Sequence, residues 1–391
     1  MDLKKEIKLS SLVPKKGTSP RTRAPKARKS RDKGPTEVVG LKIGATGIRV
    51  AHIVNNGGKE LVRVAHAPLA NGVVDGGEVR DPSALGEALA DFFTANSLPR
   101  KGVRLGLANS RIGVRVIEVA GIEDERQLSN AIGFRAHEML SIPIEEAVID
   151  YRILSTDVDE DGQTTRRILV VVAYRDSIDR YLAATDTAKI ELAGIDLEAF
   201  ALLRAVAEPG SLPVGDDGRP VAALSVVSVG HERTTLAVSD GAVCEFARVL
   251  EWGGAQLGSA IARALKLSPT EGEELKHSVS LVSGKEGVEG LPAARAAEAV
   301  EAVRYEMQSL VRDLLSSLRF YQSQPQALPI GEILVTGGTA GIPGFAEELG
   351  RELGIPVRLA DPFTRVQLAE GTERPAGEGA LAIAVGLGIE D

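Results

Sequence analysis

Apolar positions cluster between Val38 and Val54. Val38, Val39, Leu41 and Ile43 make one extended run, Ile48, Val50 and Ile53 make a second, and Gly44, Ala45, Thr46 and Gly47 join them. β-Branched runs with a short glycine-containing link predict a β-hairpin. The layout recurs at Ala223–Val238: an apolar run, Gly230, a polar tip, and then Thr234–Val238. A third glycine-rich turn lies in Ile333–Gly344, where an apolar strand runs into Gly337-Gly338-Thr339 and a helical stretch, FAEELGREL, follows. A glycine tip lets backbone N–H groups approach an anion, because no Cβ stands in the way. For one isolated copy a plain hairpin turn is the simpler reading; here the copies repeat.

The remaining pattern is mixed α/β. Lys59–Ala67 predicts a third strand. Asp81 as N-cap, Pro82 in the first turn, and Leu85, Leu89, Phe92 and Phe93 at helical spacing predict a helix to about Asn96. Val103–Ala108 and Gly113–Ala120 read as strands. Glu123–Leu140 reads as an amphipathic helix through Leu128, Ile132, Met139 and Leu140, ended by Ser141–Ile144. Ala147–Ser155 and Arg166–Tyr174 are strands around the polar turn Asp157–Thr164, and Asp176–Leu192 is a second helix. This βαββα block, about 113–192, reads as an inserted subdomain, after which Ile195–Val206 returns to the first domain. A Gly/Pro/Asp-rich linker spans Gly210–Pro220. Helices are expected at Gly254–Ala264, Pro269–Ser278 and Ala293–Tyr321, an irregular stretch at Val279–Leu291, and a small-residue helix at Gly379–Gly388.

Charge divides the chain. It has 391 residues, room for two to three domains, and a net charge of −8. Residues 1–35 carry twelve Lys/Arg against three Asp/Glu, so this segment is +9 and the remainder −17. Ile7, Leu9, Leu12 and Val13 form a small apolar cluster in KKEIKLSSLVPKK; the Pro/Ser/Arg/Lys tract that follows, Gly17–Pro35, is expected to be disordered. A solubilising tail, contact with an anionic membrane surface, and partner docking all suit that tract. A single cysteine, Cys244, excludes an internal disulfide, fits a reducing compartment, and reads as a strand residue rather than a nucleophile. No apolar run approaches the ~20 residues of a membrane-crossing helix, and the N-terminus has no apolar signal segment, so a cytoplasmic location is expected. His137 has no neighbour at metal-ligand spacing and reads as structural.

The paired hairpins and the late Gly-Gly turn resemble the actin-like ATPase superfamily, in which one hairpin from each lobe holds phosphates and the Gly-Gly turn lies beside the nucleoside. More specifically, GLKIG, SIPIEEAVIDYRIL in the insert, AGIDLEAFAL, EWGGAQLGSAIARAL, EGEELK, ILVTGGTAGIPGF and EGALAIAVGLGI together resemble the PilM family of type IV pilus assembly machines, itself similar to FtsA. The resemblance covers about 37–389. It implies an actin-like two-lobed α/β fold of duplicated ribonuclease-H-like domains with an inserted βαββα subdomain. The divisions expected are a basic tail at 1–35, a first lobe at 36–112 and 193–212, an insert at 113–192, and a second lobe at 213–391. The helical part of the second lobe falls at about 251–325, and its last helix is able to pack on the first lobe. The implied role is a cytoplasmic adaptor at the inner face of the membrane. It would bind ATP between the lobes and hold the N-terminal peptide of a PilN-like protein between the first lobe and the insert. Lys5–Lys16 resembles that peptide and would let the tail occupy its own groove or a neighbour's, a route to self-association. No nucleic-acid partner is expected.

Carried over residue by residue, the resemblance puts Lys42, Gly44, Ala45, Thr46, Gly47, Ser228, Gly230, Thr234, Gly254, Glu273, Lys276, Gly337, Gly338 and Thr339 around the nucleotide. Two positions depart from the pattern. The family's acidic residues before each glycine tip are here Lys42 and Ser228. Hard cations need oxygen ligands, usually a carboxylate or the waters it holds. Without those carboxylates, Mg2+ binding and the positioning of an attacking water both weaken. Glu273 and Lys276, matched to ribose-facing positions, read on residues alone as a solvated i,i+3 ion pair worth little. A filament-forming FtsA-like protein and a hydrolysing ATPase or kinase on the same fold remain the alternatives. The ending Gly386–Asp391, with no amphipathic tail, argues against the first, and Lys42 with Ser228 argues against the second.

Overall fold

The computed structural model describes residues 36–122, 124–140, 143–158, 163–216, 218–375 and 377–390. The basic tail with its Lys5–Lys16 motif, Ser141 and Ile142 at the helix end, part of the Asp157–Thr164 turn and the side chain of His137 lie outside the described set.

Two sheets with the same internal order form the frame. In the first, strands Lys59–Pro68, Gly47–Asn55, Thr36–Gly44, Val103–Leu107 and Leu192–Leu197 lie side by side. In the second the order is Cys244–Leu250, Thr234–Ser239, Ala223–Val229, Ile330–Thr336 and Val357–Leu359. Each begins as an antiparallel meander and continues in parallel from its first strand, so the two lobes are copies of one plan. Period-two burial explains how each sheet is covered on both faces. Val39, Leu41, Ile43, Ile48 and Val50 face one core with Leu85, Leu89 and Phe93 of the Pro82–Ala95 helix. Ala51 and Ile53 face another, with the helices Glu198–Val206 and Ala382–Gly388. Asp81 caps the Pro82–Ala95 helix, its carboxylate accepting from Ser83 N and Ala84 N at 3.0 Å each.

The insert adds three strands, Gly113–Ala120, Thr164–Tyr174 and Ala147–Val158, in that order, to the free edge of the second-lobe sheet. Helix Glu125–Leu140 covers one face through Leu128 and Ile132, packed on Ile168, Val170 and Val172. Leu169 and Val171 point the other way, into the core shared with Glu198–Val206. The helix expected at the end of the insert runs Arg175–Thr187 and packs on the first lobe, because Ile178, Tyr181 and Ala184 complete the core under Pro82–Ala95. The helix stops short of the expected Leu192, which instead begins the strand Leu192–Leu197, pairing in parallel with Val103–Leu107. Val279–Leu291, expected to be irregular, carries a small hairpin between Val279–Ser280 and Gly287–Val288. Late in the chain, Gln367–Leu368 joins the first-lobe sheet beside Lys59–Pro68, and Ala382–Gly388 lies on that same sheet. Its approach requires glycine at 40, where a Cβ would stand 2.0 Å from Ala384 O.

Where the insert meets the second-lobe sheet, one register pair, Phe246↔Arg115, is reinforced by an Arg167–Glu245 ion pair at 2.5 Å. Burial pushes the Glu245 carboxyl up to about 7, outweighing the pull of Arg167. A folded-state pKa raised above the unfolded value means that stability is fully present in acid and is lost as pH rises from about 4.5 through 7. Glu245→Gln, which stays neutral, is therefore expected to gain on the parent chain by on the order of 1–3 kcal/mol between pH 5 and pH 8. Thermal unfolding at both pH values tests this; a difference independent of pH would exclude Glu245 as the titrating group.

Candidate functional cleft

Both glycine-tipped hairpins end at one cavity. Its volume is about 360 Å³, within the usual range for small-molecule sites. The first lobe contributes Lys42, Gly44, Ala45, Thr46, Arg49 and Glu198; the second contributes Ser228, Gly230, Arg233, Glu273, Lys276 and the turn Gly337-Gly338-Thr339. Three residues expected at the site stand behind its walls. Gly47 pairs with Gly44 and backs onto Ala67 O. Thr234 is buried and donates to Trp252 O at 2.8 Å. Gly254 opens the Gly254–Leu265 helix, and its carbonyl accepts from Lys276 Nζ at 3.3 Å.

Hydrogen bonds between the turns hold them in place. Thr339 Oγ1 donates to Gly230 O at 2.9 Å, and Gly254 N to the same carbonyl at 2.9 Å. The second hairpin also reaches into the first lobe: Arg233 Nη1 donates to Ala108 O at 2.7 Å, and Glu232 accepts from Gly76 N at 3.2 Å. On the floor, Lys276 is only 3% exposed and lies 2.5 Å from Glu273. The lysine of that pair is buried in the protein, while the Glu273 side chain stays 32% exposed. Burial pushes the Glu273 carboxyl up, but hydrogen bonds from His231 and Lys276 outweigh it and hold it below the usual carboxylate range.

Opposite, Lys42 and Arg49 are direct cross-strand partners on the hairpin face turned to the cleft. Like charges directly opposite each other repel. Burial pushes the Lys42 ammonium below the usual lysine range; Glu198 opposes that shift, and Arg49 and Arg233 add to it. Arg49 is lowered by burial too, again opposed by Glu198. Among the described residues, the side chains of Lys42, Arg49 and Glu198 have no hydrogen-bonded or ion-paired partner. Glu198, the first residue of helix Glu198–Val206, is 5% exposed. Sequence reasoning missed Arg49, Glu198 and Arg233.

A profile of the family described as "Type IV pilus assembly protein PilM" matches residues 40–391. The chain belongs to the PilM family. The PilM-PilN type IV pilus biogenesis complex is similar in structure at 23% identity, covering 90% of this chain and 97% of that one, with a TM-score of 0.73. Ethanolamine utilization protein EutJ from Carboxydothermus hydrogenoformans aligns at 16% identity over 92% of this chain and 91% of its own, TM-score 0.50. MreB5 of Spiroplasma citri bound to AMPPNP aligns at 13% over 90% and 94%, TM-score 0.50. These likenesses establish the actin-like fold. No described helix is long and apolar enough to cross a membrane.

The magnesium ion that usually accompanies nucleotide in this fold does not fit the residues present. Position 42 holds an ammonium and position 228 a hydroxyl. Among the described residues no three His, Cys, Asp or Glu side chains converge as ligands. The single carboxylate on the first-lobe wall, Glu198, already faces Lys42 and Arg49, which take up the negative field a divalent cation would need.

Proposed function

We propose that this type IV pilus assembly protein works as an adaptor at the inner face of the cell membrane. It binds the cytoplasmic N-terminal peptide of a PilN-like protein between the first lobe and the insert, and ATP in the interlobe cleft with little or no hydrolysis. The observation that carries this reading is that the family match spans the cleft and the insert together. For the nucleotide half, Gly44–Thr46, Gly230 and Gly337–Thr339 meet around one cavity, where the lack of side chains at the glycines lets phosphates come close to the backbone. For the peptide half, a solved relative is itself a PilM-PilN complex. The insert also presents an edge strand, Ala147–Val158, with Ile153 and Val158 exposed, and Phe134 exposed on its helix. Such an edge accepts an extended peptide through main-chain hydrogen bonds.

Titration calorimetry of the full chain with a PilN-type N-terminal peptide is expected to show saturable one-to-one binding. An ATPase assay with Mg2+ is expected to show turnover at background. Absence of peptide binding would sink the adaptor reading, and robust magnesium-dependent turnover would move the protein to the hydrolysing class.

A further inference from the structure

We propose that the cleft takes its nucleoside polyphosphate without a divalent cation, Lys42, Arg49 and Arg233 standing in for the metal. This rests on the nucleotide reading above and deepens it. Three observations converge. Lys42 and Arg49 are paired across the hairpin, cation against cation, with no anion of the protein within bonding distance of either among the described residues. Burial of the two cations is the larger cost and Glu198, beyond bonding distance, offsets only part of it, so an external negative charge placed between the two side chains is favoured. The Lys42 ammonium also lies over the glycine tip: a Cβ placed on Gly44 would be 2.8 Å from Lys42 Nζ. The ammonium and the glycine tip therefore border the same part of the cleft. From the opposite lobe, Arg233 is held at the cleft wall by Ala108 O, while the acids of the second lobe are committed elsewhere, Glu232 to Gly76 N and Glu273 to Lys276.

A metal-bound polyphosphate carries less negative charge than the free one and presents a hydrated dication to these groups. The cleft therefore favours the free anion. Glu198 gives the proposal a sign. In a metal site its carboxylate would help hold the cation, and losing it would weaken binding. In an ammonium and guanidinium site it repels phosphate, and losing it strengthens binding.

The experiment is calorimetric titration of the full chain with ATP in EDTA and in Mg2+, with the parent, Lys42→Met and Glu198→Gln. The expected results are binding in EDTA at least as tight as in Mg2+, a loss of about tenfold or more in Lys42→Met, and severalfold tighter binding in Glu198→Gln. ATP binding seen only with Mg2+, or weakened by Glu198→Gln, overturns the proposal and leaves the nucleotide reading in place. No ATP binding by the parent chain in either buffer overturns both. The buffer comparison needs no variant, so a misfolded Lys42→Met would not protect the proposal.

Discussion

Arg204→Met is expected to destabilise the chain by about 3–5 kcal/mol, the cost of leaving one member of a buried ion pair alone. The Arg204 side chain is 0% exposed and pairs with Asp196, itself 5% exposed. Arg204 Nε also donates to Gly386 O at 2.9 Å, inside the C-terminal helix. Methionine fills the space yet leaves Asp196 without its cation and Gly386 without its donor. Two further side chains hold the same chain end: Arg104 donates to Leu387 O and Ile389 O at 2.9 and 3.0 Å, and Asn55 to Gly388 O at 3.0 Å. The damage should therefore show first as faster amide exchange in residues 382–390, then as a lower unfolding midpoint in urea. Adding Asp196→Leu to Arg204→Met is expected to recover most of the loss, because removing a whole buried pair costs far less than halving it. A single-variant loss under about 1 kcal/mol would mean that Asp196 finds another partner.

This buried pair also shows what the sequence conceals. Arg204 sits in EAFALLRAV, where an arginine would ordinarily be placed on the solvent side of a helix. Its burial follows from a contact with residues 182 positions later, which no local periodicity records. Similarly, Arg175–Thr187 reads as the natural end of the insert, and only its packing under Pro82–Ala95 assigns it to the first-lobe core. Gln367–Leu368 is too short a strand to announce itself by alternation.

Other features were legible. The two hairpins, the Gly-Gly turn, the Asp81 cap and the insert strands follow from patterning alone. Arg49 was legible too, though sequence reasoning passed over it. Closing the first hairpin at Gly44 and Gly47 fixes the register, so position 42 must face position 49. Glu198 carried a weaker signal: a lone acid at the junction between an apolar strand and an apolar helix, where a charge needs a reason to be. The polar tip His231-Glu232-Arg233 gave no hint that it reaches across to Ala108 and Gly76, since that depends on how the lobes close.

The second large effect separates two adjacent glycines. Gly337 has φ +98°, and a Cβ there would stand 2.3 Å from Val229 O and 2.7 Å from Val229 N. Gly337→Ala must therefore adopt a backbone conformation that L residues avoid and displace a core strand as well; a loss of about 2–4 kcal/mol is expected. The turn is tied to the chain end as well, Gly337 N and Thr336 Oγ1 both donating to Gly379 O, at 3.2 and 3.0 Å. Gly338, by contrast, has φ −62°, and its added Cβ would meet only Ala380 Cβ, at 4.0 Å. Gly338→Ala should fold as well as the parent chain or gain up to about 1 kcal/mol through a less disordered unfolded state. Both glycines line the cleft. Thermal unfolding and ATP titration on the pair then divide backbone from ligand. Gly337→Ala should lose stability and ATP affinity together. Gly338→Ala should keep its stability, so any change in its affinity reports ligand against the turn. Equal stability losses in the two variants would show that strain at 337 is not what demands glycine there.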